Sequence, residues 1–472
     1  MNKYKKLINN SIIFTVGNFG SRLISFLMVP LYTHLLSTSE YGTVDLMNTS
    51  IGFLIPLLTL ELGQAALRFS IDAKDKLDQN RIFSNISTHV LIVTILALFG
   101  LPILNYLNIF ENYGAMFIVL LILRVTNNIY SQYTRGVGLV KEYALNGILM
   151  TLVTVISNII LLVYLDFKVE GYILSLIFAA LASNIYLLYA SDGLTRIKMY
   201  NFDRGLLKEM LEFSIPIIPN SAMWWIINSS TRYFILYFIG AAGNGIYAVA
   251  NKIPALISMA TGIFSQAWQL SSFEEYESGT KDEFYTKTFN IYSVFLFIAG
   301  SAILVILKPL LSILVEDSFY ISWQIAPLLI FAVIYQSFAQ FLGTNYTAAK
   351  ETKGTFSTSV YAGIISIISS IILIPIMGLV GAGLSSAISL FAMFYIRLID
   401  TKKYVRIELN KTTFVFSNVI FAIQTFTLFI ADGILLFALE LILFLLLLYI
   451  NKDILLSFLK VLVNIFNKRR RI

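Results

Sequence analysis

The stretch Ile434–Ile450, ILLFALELILFLLLLYI, carries a single charged residue, Glu440, in an otherwise apolar run. A helix of this length extends about 25 Å, close to the thickness of the hydrocarbon core of a membrane. Apolar blocks of the same kind occupy Val90–Leu107 and Ile364–Met377. Because a soluble protein has no interior large enough for many such blocks, the sequence predicts an integral membrane protein.

The overall composition supports the same interpretation. Of the 472 residues, 57% are hydrophobic and 13% are charged, and the mean hydropathy is +0.78. The chain contains no cysteine, which excludes disulfides, thiolate metal ligands and cysteine nucleophiles. The two histidines, His34 and His89, lie near the ends of predicted spans. Since no nucleophile–base pair or cluster of metal ligands stands out, we predict no catalytic residue and no metal site.

Apolar stretches separated by polar breaks predict fourteen transmembrane spans. When both termini are placed in the cytoplasm, Lys168 and Lys308 are the main basic residues of the outside loops, while the cytoplasmic segments hold most others, including Arg196 and Arg397. Losing one span would invert the rest and destroy this bias, which also explains the net charge of +7 without nucleic acid. The predicted spans are 11–36, 41–69, 82–107, 113–138, 142–165, 170–191, 211–239, 244–272, 286–308, 318–348, 355–376, 379–400, 412–430 and 433–451.

The two halves of the chain resemble each other. Residues in spans 1 and 2 recur in spans 7 and 8 at a constant offset of 203, and a Tyr-Thr pair at the end of span 4 recurs in span 10. The matching residues are Ser11 and Ser214, Gly42 and Gly245, Asn48 and Asn251, and Tyr133-Thr134 and Tyr346-Thr347. We therefore predict an all-α fold with a parallel repeat of two tandem six-helix lobes. The predicted domains are an N-terminal lobe at 1–205, a C-terminal lobe at 206–405, and spans 13 and 14 with a basic amphipathic tail at 406–472.

Polar side chains form stripes in spans 1, 2, 4, 7, 8 and 10, whereas spans 13 and 14 show no comparable stripe. Because polar groups that face lipid are costly, these stripes must face each other or water. Basic residues outnumber acidic ones in the stripes, and guanidinium groups pair bidentately with phosphate oxygens, so the pattern favours an anionic substrate. The predicted substrate-binding residues are Arg22, Arg68, Arg124, Arg232, Lys252, Asn18, Asn48, Asn228 and Asn251, and the candidate coupling residues are Glu61 and Asp45.

Several of these basic residues have a second interpretation. Arg22 and Arg124 lie too deep in their spans to reach the interface, which favours a place in a cavity. Arg232 and Lys252 either line a cavity or extend to the outer interface. Arg68 extends to the inner interface unless Glu61 and Gln64 hold it inward.

Glu61 and the prolines also permit two interpretations. Glu61 is either a protonatable coupling group or a structural partner of Arg22 or Arg68. Prolines in spans 1, 2, 7 and 8 predict kinked helices there, which would suit gating of one lobe against the other but are also common in ordinary transmembrane helices. These prolines are Pro30, Pro56, Pro216, Pro219 and Pro254.

The first spans carry a recognisable series of short motifs: Asn9-Asn10-Ser11, Gly17-Asn18, the Arg22 stripe, Pro30-Leu31-Tyr32 and Ser39-Glu40-Tyr41-Gly42. With the helix count and the two lobes, they resemble the Wzx-type polysaccharide flippases of the multidrug/oligosaccharidyl-lipid/polysaccharide (MOP) exporter superfamily. The resemblance implies two lobes that alternate access to the two faces of a bacterial cytoplasmic (inner) membrane. It also places basic residues at Arg22 and Arg68.

The substrate that the resemblance implies is an oligosaccharide repeat unit linked to undecaprenyl pyrophosphate, for capsule, exopolysaccharide or O-antigen synthesis. The pyrophosphate and sugars would occupy a central cationic cavity, and the lipid a groove beside spans 13 and 14. A proton or sodium gradient would supply the energy, with no cofactor. Membrane lipids, a glycan polymerase and chain-length proteins would be the partners.

Three alternatives remain open at this point. A flippase for lipid II or a teichoic-acid-type precursor shares nearly all of these features. A multidrug or cation antiporter of the same superfamily would be expected to have acidic residues in its cavity, where this chain has arginines. A membrane glycan polymerase would be expected to have a long outside loop, which the spans do not leave room for.

Overall fold

The computed structural model describes residues 20, 23–106, 109–196, 201–351 and 353–456. Within these ranges the backbone is almost entirely helical and contains no β-strand. The principal helices are α1 Val29–Leu35, α2 Thr38–Leu58, α3 Leu62–Asp72, α4 Lys76–Tyr106, α5 Gly114–Gly136, α6 Val140–Asn158, α7 Lys168–Ala190, α8 Arg204–Ser214, α9 Ile218–Ser229, α10 Thr231–Phe238, α11 Ala241–Ala250, α12 Lys252–Glu275, α13 Lys281–Leu314, α14 Ala326–Ala348, α15 Lys353–Asp400, α16 Lys411–Ile430 and α17 Gly433–Ile450. Shorter helical segments span Gly193–Arg196 and Asp317–Tyr320, with 3-10 turns at Glu111–Tyr113, Ile215–Ile217, Ile321–Gln324 and Thr401–Lys403 and a π-helical turn at Ile159–Tyr164.

The helices present mostly apolar surfaces. In the described part of the chain, nine helices are long and apolar enough to cross a membrane, or eleven if each of two bent pairs forms one span. Helix α17 buries only Leu436, Glu440 and Leu447, and its other side chains are large apolar groups that are mostly exposed or half-buried. Such a surface is stable in lipid rather than in water. The chain is therefore a multi-pass membrane protein, while the count of fourteen spans stays a prediction.

Helix α15 turns back on itself at Gly378, whose φ of +57° and ψ of −134° are not helical. After the turn the two arms run side by side, since the hydroxyls of Ser370 and Ser385 lie 2.7 Å apart. A Cβ atom at Gly381 would overlap the carbonyl oxygen of Leu373, so only glycine permits the close approach of the arms. The two arms correspond to predicted spans 11 and 12, and the turn lies between them as predicted.

Three predicted spans are not continuous helices. Predicted span 2 bends by 54° between α2 and α3, where Leu60 and Glu61 have φ of +49° and +55°. Predicted span 8 bends by 42° between α11 and α12, beside Asn251. Predicted span 7 divides into α8, a 3-10 turn that contains Pro216, α9 and α10. The sequence predicts kinks in these spans from their prolines, and all three spans are interrupted. In span 2, however, the break follows Pro56.

By internal contacts the chain divides into two compact units. Unit 1 comprises Met1–Trp225 with Gly240–Gly245, and unit 2 comprises Ile226–Ile239 with Ile246–Ile472. These units are defined by contacts within each of them and do not test the predicted domains. The domains expected at 1–205, 206–405 and 406–472 therefore remain predictions.

Unit 1 is held together by a network of amides and hydroxyls between α5, α6 and α7. Asn127 donates through Nδ2 to Ser183 Oγ at 2.5 Å, and Ser183 Oγ donates to Asn146 Oδ1 at 2.6 Å. Asn127 Nδ2 also lies 3.2 Å from Asn184 Oδ1. Because polar groups in an apolar bundle must find protein partners, this network fixes the relative positions of three helices.

The segment Gly240–Gly245 packs within unit 1 against the start of α2 through two glycines. A Cβ atom at Gly42 would overlap the carbonyl oxygen of Ala241, and one at Gly245 would overlap that of Thr38. Gly42 and Gly245 are the pair that the sequence repeat relates. Both glycines are thus required by the same close backbone approach.

Unit 2 has a predominantly aromatic interior. The rings of Trp268 and Phe341 stack with their centroids 4.1 Å apart, and the indole Nε1 donates to Thr344 Oγ1 at 2.9 Å. Neighbouring rings extend the cluster across α12, α13, α14, α15 and α16. Its further members include Phe264, Phe289, Tyr292, Phe338, Phe394 and Phe414.

Arg397 is buried in unit 2 with only 1% of its surface exposed. Its guanidinium donates to the hydroxyls of Thr358 and Ser359 at 3.0 and 3.2 Å and to the carbonyl of Ala339 at 2.7 Å. Counting Arg397 among the cytoplasmic loop charges is therefore wrong. It instead ties α14 to both arms of α15, because carbonyls and hydroxyls take the place of a counter-ion.

Candidate functional site

The break between α2 and α3 carries Glu61, one of the two predicted coupling residues. Its carboxylate Oε1 accepts a hydrogen bond from Ser221 Oγ at 2.5 Å, and its backbone N–H donates to Thr59 Oγ1 at 3.2 Å. On the opposite side of the break, His89 Nε2 lies 2.9 Å from the carbonyl oxygen of Leu58. Glu61 is thus a half-buried acid at an interrupted helix, the kind of position at which transporters bind ions and substrates.

His89 lies well inside α4, although it is near the end of its predicted span. Helix α4 begins at Lys76, so His89 lies about four turns inside it, half-buried and against α2. The sequence pattern missed its importance because nothing in α4 alone indicates that a carbonyl of α2 needs a donor.

Asp45 and Asn48 lie on α2 before the break. Asp45 Oδ2 accepts a hydrogen bond from Asn244 Nδ2 at 3.3 Å, and the same amide donates to the carbonyl of Gly42 at 3.0 Å. Asn48 donates to the carbonyl of Val44, one turn earlier in its own helix, at 3.0 Å. Asp45 therefore helps to hold the close contact at Gly42, which is a structural role.

Arg124 lies in the middle of α5, as predicted, and is half-buried. Its Nη1 lies 3.7 Å from the sulfur of Met150, a weak acceptor, and within the described ranges no carboxylate comes within 4 Å. A guanidinium in such apolar surroundings loses its hydration and gains no ion pair from the described residues. This makes Arg124 a candidate for binding an anionic group.

A second group of predicted residues lies in unit 2, around Tyr247. The guanidinium of Arg232 lies over the Tyr247 ring, 5.5 Å from its centroid, and its Nη1 donates to the carbonyl of Asn228 at 3.3 Å. Asn228 Oδ1 accepts from Gln336 Nε2 at 2.7 Å, and Asn251 donates to the carbonyl of Tyr247 at 2.8 Å. Lys252, also predicted, is half-buried and follows Asn251 at the start of α12.

The remaining predicted residues are placed as follows. Arg68 pairs with Asp72 at 2.7 Å on the exposed side of α3, with the two side chains 54% and 60% exposed. Its ion-pair partner is therefore Asp72, and Glu61 does not hold it inward. Arg22 and Asn18 lie outside the described residues.

The two C-terminal helices contain a buried polar cluster that the sequence pattern missed. Glu440 is fully buried, accepts a hydrogen bond from Thr427 Oγ1, and receives Gln424 Nε2 on its backbone carbonyl at 3.3 Å. Ser301 Oγ of α13 donates to Gln424 Oε1 at 2.7 Å. The prediction that spans 13 and 14 carry no polar stripe of their own is compatible with this cluster. These residues come from three helices, so no single helix shows them as a stripe.

Unit 2 also contains an apolar cavity of about 370 Å³. It lies between α12 and α13 and is closed by residues that follow α17. Its lining includes Phe264, Ile291, Tyr292, Phe295, Ile454 and Leu455. Its size and lining suit a part of an apolar chain rather than a sugar.

Residues 7–268 match the family model described as polysaccharide biosynthesis protein. The chain belongs to this family. This match confirms the predicted membership of a polysaccharide biosynthesis protein family. A Haemophilus influenzae protein named after the Lsg locus is 22% identical over 276 residues, which cover 56% of this chain and 65% of that protein. The match thus spans somewhat less than two thirds of the curated relative.

Solved structures show the same fold. The lipid II flippase MurJ, in an inward closed conformation, is similar with a TM-score of 0.71 and 13% identity, over 95% of this chain and 99% of that chain. An inward-facing multidrug resistance MATE family transporter of the MOP superfamily gives 0.68 and 14%, over 81% and 95%. A MOP superfamily transporter from Pyrococcus furiosus gives 0.61 and 14%, over 84% and 94%. The predicted fold class, an all-α membrane protein of the MOP type, is confirmed.

Proposed function

We propose that the protein is a flippase that moves an oligosaccharide linked to undecaprenyl pyrophosphate from the inner to the outer face of the bacterial cytoplasmic membrane, for capsule, exopolysaccharide or O-antigen synthesis. The observation that carries this proposal is Arg124, a half-buried guanidinium that contacts a methionine sulfur and has no carboxylate within 4 Å among the described residues. Pyrophosphate oxygens match its planar array of donors, and the charge that they bring offsets the loss of hydration. The family's role in polysaccharide biosynthesis agrees with a glycan cargo.

The group around Tyr247 in unit 2 would contribute contacts of the kind that a glycan needs. Arg232 supplies a cation, while Asn228, Gln336 and Asn251 supply amides that suit sugar hydroxyls. We assign the apolar cavity lined by Phe264 and Leu455 to a part of the polyprenyl chain. Both termini would lie in the cytoplasm, and a glycan polymerase and chain-length proteins would act on the exported unit.

Coupling to a proton or sodium gradient would depend on Glu61. Its carboxylate accepts a hydrogen bond from the hydroxyl of Ser221, whereas Asp45 is held by the amide of Asn244. An acid that binds a proton or Na⁺ must be able to exchange partners during the cycle. We therefore expect Glu61→Gln to abolish the response of transport to the ion gradient and Asp45→Asn to change it less. Imposing a proton or a sodium gradient on vesicles identifies the ion.

The experiment that tests the substrate class compares variants of two arginines of α5. Arg124→Ala should reduce export of a pyrophosphate-linked glycan at least about tenfold, because truncating one partner of a buried charge pair costs about 2–5 kcal/mol. Lipid-linked precursor should then accumulate on the inner face, and Arg124→Lys should restore export in part. Arg135→Ala is the matched control, since Arg135 is an exposed arginine at the end of the same helix.

Membrane levels of each variant must match the parent. Unchanged export by Arg124→Ala and by the double variant with Arg22→Ala would show that the cationic cavity is wrongly assigned. Efflux of cationic drugs would then be the next assay. If the arginine variants fail to export every pyrophosphate-linked substrate tested, including lipid II and teichoic-acid-type precursors, the substrate class is supported. Comparing how well the parent protein exports each of these substrates then identifies the glycan.

A further inference from the structure

We propose that His89 is a positioning residue for translocation: its imidazole fixes the break between α2 and α3 and thereby holds Glu61 in place. The inference rests on the coupling role proposed for Glu61. It concerns a residue of α4 that touches neither Glu61 nor the predicted substrate-binding residues.

The first step of the argument is the carbonyl of Leu58. In a continuous helix this oxygen would accept the N–H of Leu62, but that N–H donates to the carbonyl of Thr59 at 2.9 Å. The oxygen of Leu58 is instead 2.9 Å from His89 Nε2. A carbonyl only accepts, so Nε2 must carry the proton and donate. Without this donor the half-buried Leu58 carbonyl would lose its partner in an apolar environment, a loss worth about 1–3 kcal/mol.

The second step is the conformation of the break. Leu60 and Glu61 both lie in the left-handed region, with φ of +49° and +55°. For residues with a Cβ atom this conformation costs about 1–2 kcal/mol each, so it persists only where the surroundings enforce it. Pro56 lies before the break and does not account for it, because proline disturbs the turn that precedes it.

The third step is to identify what enforces it. Thr59 receives the N–H of Glu61 from within the break, and Ser221 of α9 reaches the Glu61 carboxylate. His89 lies 31 residues along the chain from Leu58, on a separate helix, and contacts the backbone of the break. Because Glu61 belongs to this break, the position of its side chain depends on a donor that α4 supplies.

The test uses the absence of cysteine, which allows a pair of spin labels to be placed cleanly. Labels at Ser39→Cys and Ile71→Cys occupy exposed positions near the outer ends of α2 and α3. With a rise of 1.5 Å per residue, straightening the 54° bend lengthens the distance between these helix ends by about 5 Å. Pulsed electron paramagnetic resonance measures this distance in the full chain in lipid.

Two amide variants of His89 test whether its hydrogen bond to the Leu58 carbonyl, rather than another property of the side chain, fixes the break. His89→Gln places an amide where Nε2 now lies, and His89→Asn is equally polar but too short. We expect the parent distance for His89→Gln and a longer or second distance for His89→Asn. Thr94→Val is the control, because the Thr94 hydroxyl of the same helix binds only the carbonyl of Val90. Equal distances in His89→Asn and the parent, or a change in both amide variants, would overturn the inference.

Transport separates this inference from the function on which it rests. We expect His89→Asn to reduce gradient-driven export about tenfold, the equivalent of one lost buried hydrogen bond, and His89→Gln to retain it. If Glu61→Gln exports normally while the distances behave as expected, the coupling role fails and the positioning of the break stands. If Glu61→Gln is inactive and His89→Asn exports normally, the positioning role in transport fails alone.

Discussion

The two halves of the chain break their matching helices at different places. In the first half α2 continues past Asn48 and breaks at Leu58–Leu62, whereas in the second half the bend lies beside Asn251, the residue that the repeat pairs with Asn48. Both asparagines donate to the carbonyl four residues earlier, at 3.0 and 2.8 Å. The shared asparagine is therefore not the cause of either break.

Proline explains one break and not the other. Pro254 follows Asn251 by three residues, and because it has no N–H the carbonyl of Ala250 lacks its helical partner, which favours a bend at this point. In α2 the nearest proline, Pro56, precedes the break. There the contacts of Leu58 with His89 and of Glu61 with Ser221 hold the backbone. One bend thus follows from local sequence, and the other from tertiary contacts.

The largest expected loss of stability comes from substituting the two glycines that the sequence repeat pairs, Gly42 and Gly245. Gly42→Ala or Gly245→Ala should destabilise the protein by at least about 3 kcal/mol, since each Cβ atom would meet a backbone carbonyl that cannot move aside. Thermal unfolding in detergent measures the loss. Gly147→Ala in α6 is the control, because its Cβ atom would meet nothing within 4 Å. If both variants unfold like the parent, the repeat-related contact is not as close as described.

A smaller difference in stability is expected between variants of two arginines, Arg397 in unit 2 and Arg196 in unit 1. Arg397→Leu should cost about 2–3 kcal/mol, because it leaves a buried carbonyl and two hydroxyls unpaired. Arg196→Leu should cost about 1 kcal/mol, since Arg196 is half-buried and water can replace its bonds to Gln79 and Tyr133. Denaturant unfolding measures the loss of stability of each variant. Equal losses for the two variants would show that the buried and the half-buried arginine stabilise their units to the same extent.

The smallest effect on stability should come from the prolines, although they test the comparison most directly. Pro254→Ala should straighten the α11–α12 bend, and Pro56→Ala should leave the α2–α3 bend unchanged, each altering stability by about 1 kcal/mol or less. Spin-label distances across each bend measure the outcome. A straightened α2–α3 in Pro56→Ala would mean that the proline, not His89, enforces the first break.

Much of the fold was predictable from the sequence, because the membrane imposes a simple rule on apolar length. Helices α16 and α17, Lys411–Ile430 and Gly433–Ile450, agree with predicted spans 13 and 14 within one residue at either end. The turn at Gly378 also lies between predicted spans 11 and 12. The least successful boundaries are those of the helices that carry polar stripes, where side-chain contacts compete with regular helix geometry.

The candidate site was predictable to a lesser extent. Helical spacing correctly placed Asn228 and Arg232 on one face, and they meet through a hydrogen bond. The same method did not identify Asp72 as the partner of Arg68, nor the partners of Glu440, which lie on another helix. Periodicity describes one helix at a time, so it identifies a polar face but not what the face meets.

The sequence by itself determined that this chain lies in a membrane and which family it belongs to. These properties depend on apolar length, on charge distribution and on short motifs, all of which are local. Only the tertiary structure decided that Leu58 takes its donor from His89, that Glu61 faces Ser221, and that Arg397 is buried among carbonyls. The physical reason is that a broken or buried polar group can be satisfied by any helix that packs against it, and packing partners are set by the whole fold.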